Sequence, residues 1–126
     1  MAVDFVVPTV PKPHRVILLG AAMQGWFQAT DEERREKVLP RFKQMLQEWR
    51  DLGAKVLATV DDDLFMVGPP GAPDFTWYLI YEVPSIDVFA AMIHRVRTTV
   101  DGVRLDRYIR IEGRLGRPFF LLEGHG

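Results

Sequence analysis

One stretch decides the fold of this chain: Phe75-Thr76-Trp77-Tyr78-Leu79-Ile80-Tyr81-Glu82-Val83. It is rich in aromatic and aliphatic residues and follows a proline-rich loop at 69–74. This combination predicts a β-strand. Alternation assigns one face to Phe75, Trp77, Leu79, Tyr81 and Val83, and the other to Thr76, Tyr78, Ile80 and Glu82. Because both faces are largely apolar, we expect both to be covered.

Other strand-like segments lie on either side of this one. The apolar run 15–23 has no polar alternation and predicts a central strand, after which Gln24–Phe27 is expected to form a loop. Segments 55–60 and 64–68 also predict strand, and Asp61–Asp63 between them is either a tight turn or a bulge. A last strand is predicted at 109–113, where apolar and polar residues alternate.

Two amphipathic helices separate these strands. Thr30 and Glu33 have the spacing of a capping box, and an apolar stripe from Val38 to Leu52 follows. Pro40 interrupts that helix and predicts a kink or a break at 36–39. Ser85 begins the second helix, which we expect to reach Asp101-Gly102, and 105–108 is expected to form a short helical turn.

The order of elements is strand, helix, strand, strand, helix, strand. This order predicts an α+β, ferredoxin-like βαββαβ domain over residues 14–117, an antiparallel sheet with two helices on one face. Residues 1–13 are expected to form an extended arm and 118–126 an apolar tail. No third helix remains to cover the second sheet face, so we expect a homodimer, with the tail packing on the body or on the partner subunit.

The strand 75–83, the helix after it and Leu105-Asp106-Arg107-Tyr108 leading into the last strand resemble the corresponding part of the darcynin-like proteins. More broadly, residues 14–117 resemble the dimeric α+β barrel superfamily, which includes antibiotic-biosynthesis monooxygenases, polyketide cyclases and muconolactone isomerases. This resemblance implies a small-molecule pocket between the sheet and the helices. It also implies cofactor-independent isomerase, cyclase or monooxygenase chemistry.

Composition excludes several function classes. The chain has 126 residues, 48% of them hydrophobic, which fits one globular domain. It has no cysteine, so thiol nucleophiles and thiolate metal sites are excluded. A net charge of −1 gives no overall reason to bind nucleic acid or an anionic membrane. With no apolar run of about 20 residues and no secretory signal, we expect a cytoplasmic location without membrane association.

The residue types suited to a pocket fall into three groups. Gln24, Trp26 and Arg35 lie after the first strand or on the first helix, and at 100° per residue Arg35 falls within about 20° of Phe42 on the apolar side. Tyr78 can donate to an enolate or phenolate oxygen. The segment 94–117 is rich in arginine, which binds planar anions. Each of these residues also has an ordinary structural explanation in packing, turns or surface ion pairs.

We therefore predict a catalytic set and a substrate-binding set. The catalytic candidates, which would orient the substrate and move a proton, are His14, Gln24 and Tyr78. The substrate-binding candidates are Trp26, Arg35, Trp49, Trp77, His94, Tyr108 and Arg110. The spacing of the histidines does not match a common zinc site, and Asp61–Asp63 does not match a calcium loop, so neither a metal nor a cofactor is expected.

The leading functional hypothesis is a small cofactor-independent enzyme acting on an aromatic or polyketide-like molecule in an apolar pocket. The alternative is a non-catalytic homodimeric barrel that binds a small ligand or serves as an accessory subunit. A pocket with several convergent polar groups favours the enzyme, whereas a pocket filled by Trp26, Phe42 and Trp49 favours a structural role.

Overall fold

A computed structural model describes residues 14–64, 67–68 and 75–123, and this part of the chain contains one four-stranded antiparallel sheet. The strands are β1 (His14–Ala22), β2 (Lys55–Asp61), β3 (Trp77–Val83) and β4 (Ile109–Gly116). Their order across the sheet is β2-β3-β1-β4. The two strands with apolar residues on both faces, β1 and β3, are therefore central, as the sequence predicts. This is the ferredoxin-like arrangement, and the predicted fold class is confirmed.

Short and long helical segments connect the strands. The short ones are α1 (Gln24–Gln28), α2 (Asp31–Glu33), a 3₁₀ turn (Leu105–Arg107) and α5 (Phe120–Glu123). The long ones are α3 (Leu39–Asp51) and α4 (Ile86–Arg97). None of the helices in the described ranges is long and apolar enough to cross a membrane.

The predicted helix starts are confirmed by their side-chain caps. The Thr30 hydroxyl accepts the backbone N–H of Glu33 at 3.1 Å, and the Ser85 hydroxyl accepts that of Val88 at 3.2 Å. Both hydroxyls satisfy donors that a helix N-terminus leaves without a partner. The predicted turn before β4 is likewise present as the 3₁₀ turn.

The predicted break before Pro40 is a π-helical turn at Arg34–Val38, which joins α2 to α3. Proline has no N–H to donate to the carbonyl four residues earlier, so regular α-helical bonding cannot continue through it. In the π turn, backbone hydrogen bonds join residues five positions apart, which accommodates the N–H that Pro40 lacks. Pro40 itself lies in the first turn of α3.

Several predicted segments are wrong in kind or extent. Strand β3 begins at Trp77 rather than Phe75, and β4 runs to Gly116 rather than ending at 113. Gln24–Phe27 begins helix α1 rather than forming a loop, because the N–H of Ala29 closes a turn on Gly25 at 3.1 Å. Helix α4 ends at Arg97, before the β-branched run 98–100, and Asp101-Gly102 forms a tight hairpin turn with positive φ at both residues. The described residues of 64–68, which are 64, 67 and 68, are not in a strand, and β2 instead extends through Asp61.

The core lies between the sheet and the two long helices. Met45 and Trp49 of α3 and Met92 of α4 pack against β1 residues such as Leu18 in a single buried cluster. The Trp49 indole N–H donates to the carbonyl of Met92 at 3.0 Å, and its ring meets Tyr81 edge to face at 5.7 Å. Both long helices therefore lie on one face of the sheet.

The opposite sheet face and the tail are less covered. Ile17, Leu19 and Ile80 alternate with buried core residues and are half-buried on that face. In the tail, Leu121 and Leu122 are 71% and 83% exposed, so neither is buried against the body of this chain. The predicted arm at 1–13 lies outside the described residues.

Candidate functional site

A cavity of about 700 Å³ lies between the sheet and α3. Its aromatic walls are Trp26, Phe42, Trp77 and Tyr81. Its aliphatic residues are Ala22, Val38, Leu39, Leu46, Val60, Leu79 and Ile109. Its polar residues are Thr59, Asp61 and Thr76. This volume and this apolar lining are typical of sites for small organic molecules.

The cavity depends on the close approach of Trp77 to Gly20. These residues are paired in the β1–β3 register, and a Cβ at Gly20 would overlap the six-membered ring of the Trp77 indole. Phe42 of α3 meets the same indole edge to face, with ring centroids 5.9 Å apart. A glycine on the central strand thus allows the Trp77 indole to pack directly against the backbone of β1.

Three side chains that line the cavity carry a donor with no partner among the described residues. The indole N–H groups of Trp26 and Trp77 and the Tyr81 hydroxyl make no hydrogen bond with any other described residue. Burial raises the pKa of the Tyr81 hydroxyl above its ordinary value of 10.0, because the phenolate would lose solvation. Tyr81 therefore remains a neutral donor at physiological pH.

The acidic run Asp61–Asp63 begins at the last residue of β2, and its first two members have different surroundings. Asp61 is the last residue of β2, pairs with Trp77 in the sheet register and lines the cavity. Its carboxylate has no hydrogen bond or ion pair with another described residue. Asp62 instead accepts a hydrogen bond from the Tyr78 hydroxyl at 2.8 Å. The run is thus neither a simple turn nor the site of the β2 bulge, which lies between Val56 and Ala58.

The structure places two of the predicted site residues, Trp26 and Trp77, in the cavity lining. Tyr78 belongs to the opposite sheet face, because it alternates with Trp77 and Leu79, which line the cavity. The hydrogen bond to Asp62 is the largest cause that raises the pKa of Tyr78. The predicted role of Tyr78 thus has no support from the position of the cavity.

The histidines and Trp49 lie elsewhere. His14 is buried at the start of β1, about 26 Å along the strand from Ala22 at a rise of about 3.3 Å per residue. Its Nδ1 has no hydrogen-bond partner among the described residues. His94 is exposed on α4. Trp49 is fully buried in the core rather than at the cavity surface.

The remaining predicted site residues lie outside the cavity lining. Gln24 and Arg35 are exposed, and Tyr108 is half-buried against the core beside α1. Arg110 pairs with Glu112 of its own strand, with the guanidinium Nε 2.8 Å from the carboxylate, and lies over the Phe75 ring. The structure therefore does not bring the predicted catalytic and arginine-rich groups together.

A buried arginine that the sequence reasoning missed is Arg41, which is only 4% exposed. Its two terminal nitrogens donate to both oxygens of Glu48 at 3.0 and 3.2 Å, and Arg95 approaches the same carboxylate at 3.9 Å. This bidentate pair lies within α3, and the contact of Arg95 with Glu48 joins it to α4 outside the cavity. It is a structural interaction rather than part of the candidate site.

Two cavity residues were also missed as candidates, Tyr81 and Asp61. The sequence did contain a signal for Tyr81, because the alternation of 75–83 placed it on the same strand face as Trp77. Among the described residues, no group of three or more His, Cys, Asp or Glu side chains has the arrangement of a metal site.

Comparison with known proteins supports the fold. No protein-family model matches the chain, and no curated protein matches it in sequence. The crystal structure of the chlorite dismutase-like protein TA0507 superposes with a TM-score of 0.53 and 19% identity over 88% of this chain. The chain has a ferredoxin-like fold. It covers 46% of TA0507, so it spans about half the length of that protein.

A second structural neighbour is RPA0582, a protein of unknown function from Rhodopseudomonas palustris. The match has 20% identity and a TM-score of 0.48, covering 81% of this chain and 80% of RPA0582. The methylated form of RPA0582 gives 20% identity and a TM-score of 0.49, with 85% and 81% covered.

Proposed function

We propose that this ferredoxin-like protein binds a small aromatic or polyketide-like molecule in the cavity beneath α3 and converts it without a cofactor. The observation that carries the proposal is the cavity wall, in which aromatic surfaces are combined with three neutral donors that have no partner in the described part of the chain. Planar rings pack well against such surfaces, and a few polar groups fix their orientation.

Tyr81 is the central donor in this proposal. A hydroxyl that donates to a ligand carbonyl oxygen stabilises the negative charge that develops there as an enolate or phenolate forms. Isomerisation, ring closure and cofactor-free oxygenation all require such an intermediate. The donor has most effect where water is excluded, and Tyr81 itself is only 7% exposed.

Anthrone provides a concrete test of the proposed chemistry. Anthrone forms an enolate that reacts with O₂, and the overall products are anthraquinone and water. One oxygen atom of O₂ becomes the oxygen of the new ring carbonyl. The other leaves as water with the two hydrogens of the carbon that was oxidised. We expect the protein to accelerate this oxidation above the spontaneous rate, followed by absorbance and oxygen uptake. Indole ¹⁵N NMR signals of Trp26 and Trp77 should shift on anthrone addition, while that of buried Trp49 should not.

The alternative is ligand binding without catalysis, in a carrier or accessory subunit. It is favoured by the positions of His14, Gln24 and Tyr78, none of which lines the cavity. Indole shifts with no acceleration of anthrone oxidation would support this alternative. If neither the shifts nor the acceleration is observed, the proposed aromatic site is wrong.

We further propose a cytoplasmic homodimer formed through the sheet face opposite the long helices, with the exposed tail reaching the partner. Half-buried Ile17, Leu19 and Ile80 give this face an apolar centre. Sedimentation at micromolar concentration should show a species near twice 14.5 kDa. Ile80→Glu should shift that species to the monomer, because a charge would be buried at the interface. A wild-type monomer would contradict the proposal.

A further inference from the structure

The charge of the cavity is set by one residue. Asp61 is the only Asp, Glu, Lys or Arg among the described lining residues, and its carboxylate has no partner among the described residues. A cation beside the aromatic wall is Arg34, whose guanidinium lies 5.4 Å from the centre of the Trp26 ring system. Arg34 donates to the carbonyls of Trp26 and Phe27 and to Asp31, and it does not line the cavity.

The register places the Asp61 carboxylate beside aromatic surface. Asp61 and Trp77 are directly opposite each other on β2 and β3, and such pairs have Cβ atoms about 4.5–5.5 Å apart. A cation near both groups would be attracted by the carboxylate charge and by the electron-rich indole face. Either ion would lose solvation in the apolar cavity, but only an anionic ligand would also be repelled by the carboxylate.

From this arrangement we infer that the cavity selects aromatic ligands that carry a protonated amine and discriminates against aromatic carboxylates, with Asp61 as the specificity-determining residue. The inference rests on the proposed function, because it concerns the ligand of the same cavity. The aromatic rings supply binding surface for any flat ligand, and Asp61 adds the preference for charge.

A matched series of naphthalene probes tests the selection. Isothermal titration calorimetry at pH 7 compares 1-naphthylmethylamine, which is a cation, with neutral 1-naphthylmethanol and anionic 1-naphthoate. We expect the amine to bind about 3- to 10-fold more tightly than the alcohol, the range that a partly exposed charge pair and a cation–π contact provide. We expect the naphthoate to bind more weakly than the alcohol by a similar factor.

Two variants assign the effect to a single carboxylate. Asp61→Asn should reduce the advantage of the amine over the alcohol to the part that the cation–π contact supplies. Both aspartates are exposed, and Asp63→Asn is the matched control because it removes the same charge two positions along, from a residue that does not line the cavity. The advantage of the amine should also decrease in 1 M salt, where the Debye length is about 3 Å. Thermal melting verifies that both variants are folded.

The outcomes separate this inference from the proposed function. Equal affinity for the amine and the alcohol would overturn the role of Asp61 and leave the aromatic site standing. Equal losses in Asp61→Asn and Asp63→Asn would indicate an effect of net charge and would also overturn that role. Binding of none of the three probes would overturn both the inference and the proposed aromatic site.

Discussion

Replacement of Trp49 by alanine should lower the free energy of unfolding by about 3–5 kcal/mol, the range observed when a large buried aromatic is removed. Trp49 is fully buried at the centre of the core, where its ring contacts Tyr81 edge to face. Truncation also leaves the Met92 carbonyl without the indole donor that lies 3.0 Å away. The void left by the indole and the lost hydrogen bond both destabilise the folded state, so this is the largest stability effect that we expect.

Urea denaturation measures the change, and Trp26→Ala is the matched control. Both variants remove an indole, but Trp26 is only half-buried and already borders an open cavity. We expect Trp26→Ala to cost less than half as much as Trp49→Ala. Equal decreases in the free energy of unfolding would mean that Trp49 contributes no more to stability than Trp26 does.

Features that depend on neighbouring residues were predictable from the sequence. The caps at Thr30 and Ser85 use a side chain and a backbone N–H three residues apart, so the sequence contains both partners. The central positions of β1 and β3 followed from apolar residues on both faces, because such strands need cover on both sides. These local patterns were sufficient to give the element order and hence the ferredoxin-like fold.

The error at Arg35 has a specific geometric cause. A regular helix would place Arg35 near Phe42 on the apolar side, but the π turn at Arg34–Val38 adds about one residue, or about 100° of rotation. Arg35 is consequently exposed, and Arg41, which lies after the turn, is the buried arginine. Pro40 predicted a break in the helix but not the sense or size of the rotation.

The candidate site was less predictable, because alternation identifies which residues share a face without showing which face borders a cavity. Tyr78 and Tyr81 are both strand tyrosines, and only the packing of α3 decides that Tyr81 lies on the cavity side. Asp61 was grouped with a polar turn, because an acidic run usually lies in solvent. The extension of β2 through Asp61, which places it opposite Trp77, is a long-range effect of pairing with β3.

Tyr81→Phe should reduce anthrone oxidation by about 100-fold or more, the typical loss when a donor to a developing oxyanion is removed. The fold should be unaffected, because the Tyr81 hydroxyl has no hydrogen-bond partner among the described residues. Removal of a buried hydroxyl without a partner leaves stability unchanged or slightly raises it. Loss of turnover in a variant with unchanged melting temperature would therefore be due to the missing donor.

Tyr78→Phe is the matched control on the opposite sheet face. It removes the hydrogen bond to Asp62 and should leave anthrone oxidation unchanged. Because burial raises the pKa of Tyr81, its hydroxyl stays protonated below pH 10, and the ratio of wild-type to Tyr81→Phe turnover should be constant from pH 6 to 9. A ratio that falls within this range would mean that the hydroxyl ionises there and is not the neutral donor. Loss of turnover in Tyr78→Phe with wild-type activity in Tyr81→Phe would place the reacting oxygen on the other side of the sheet.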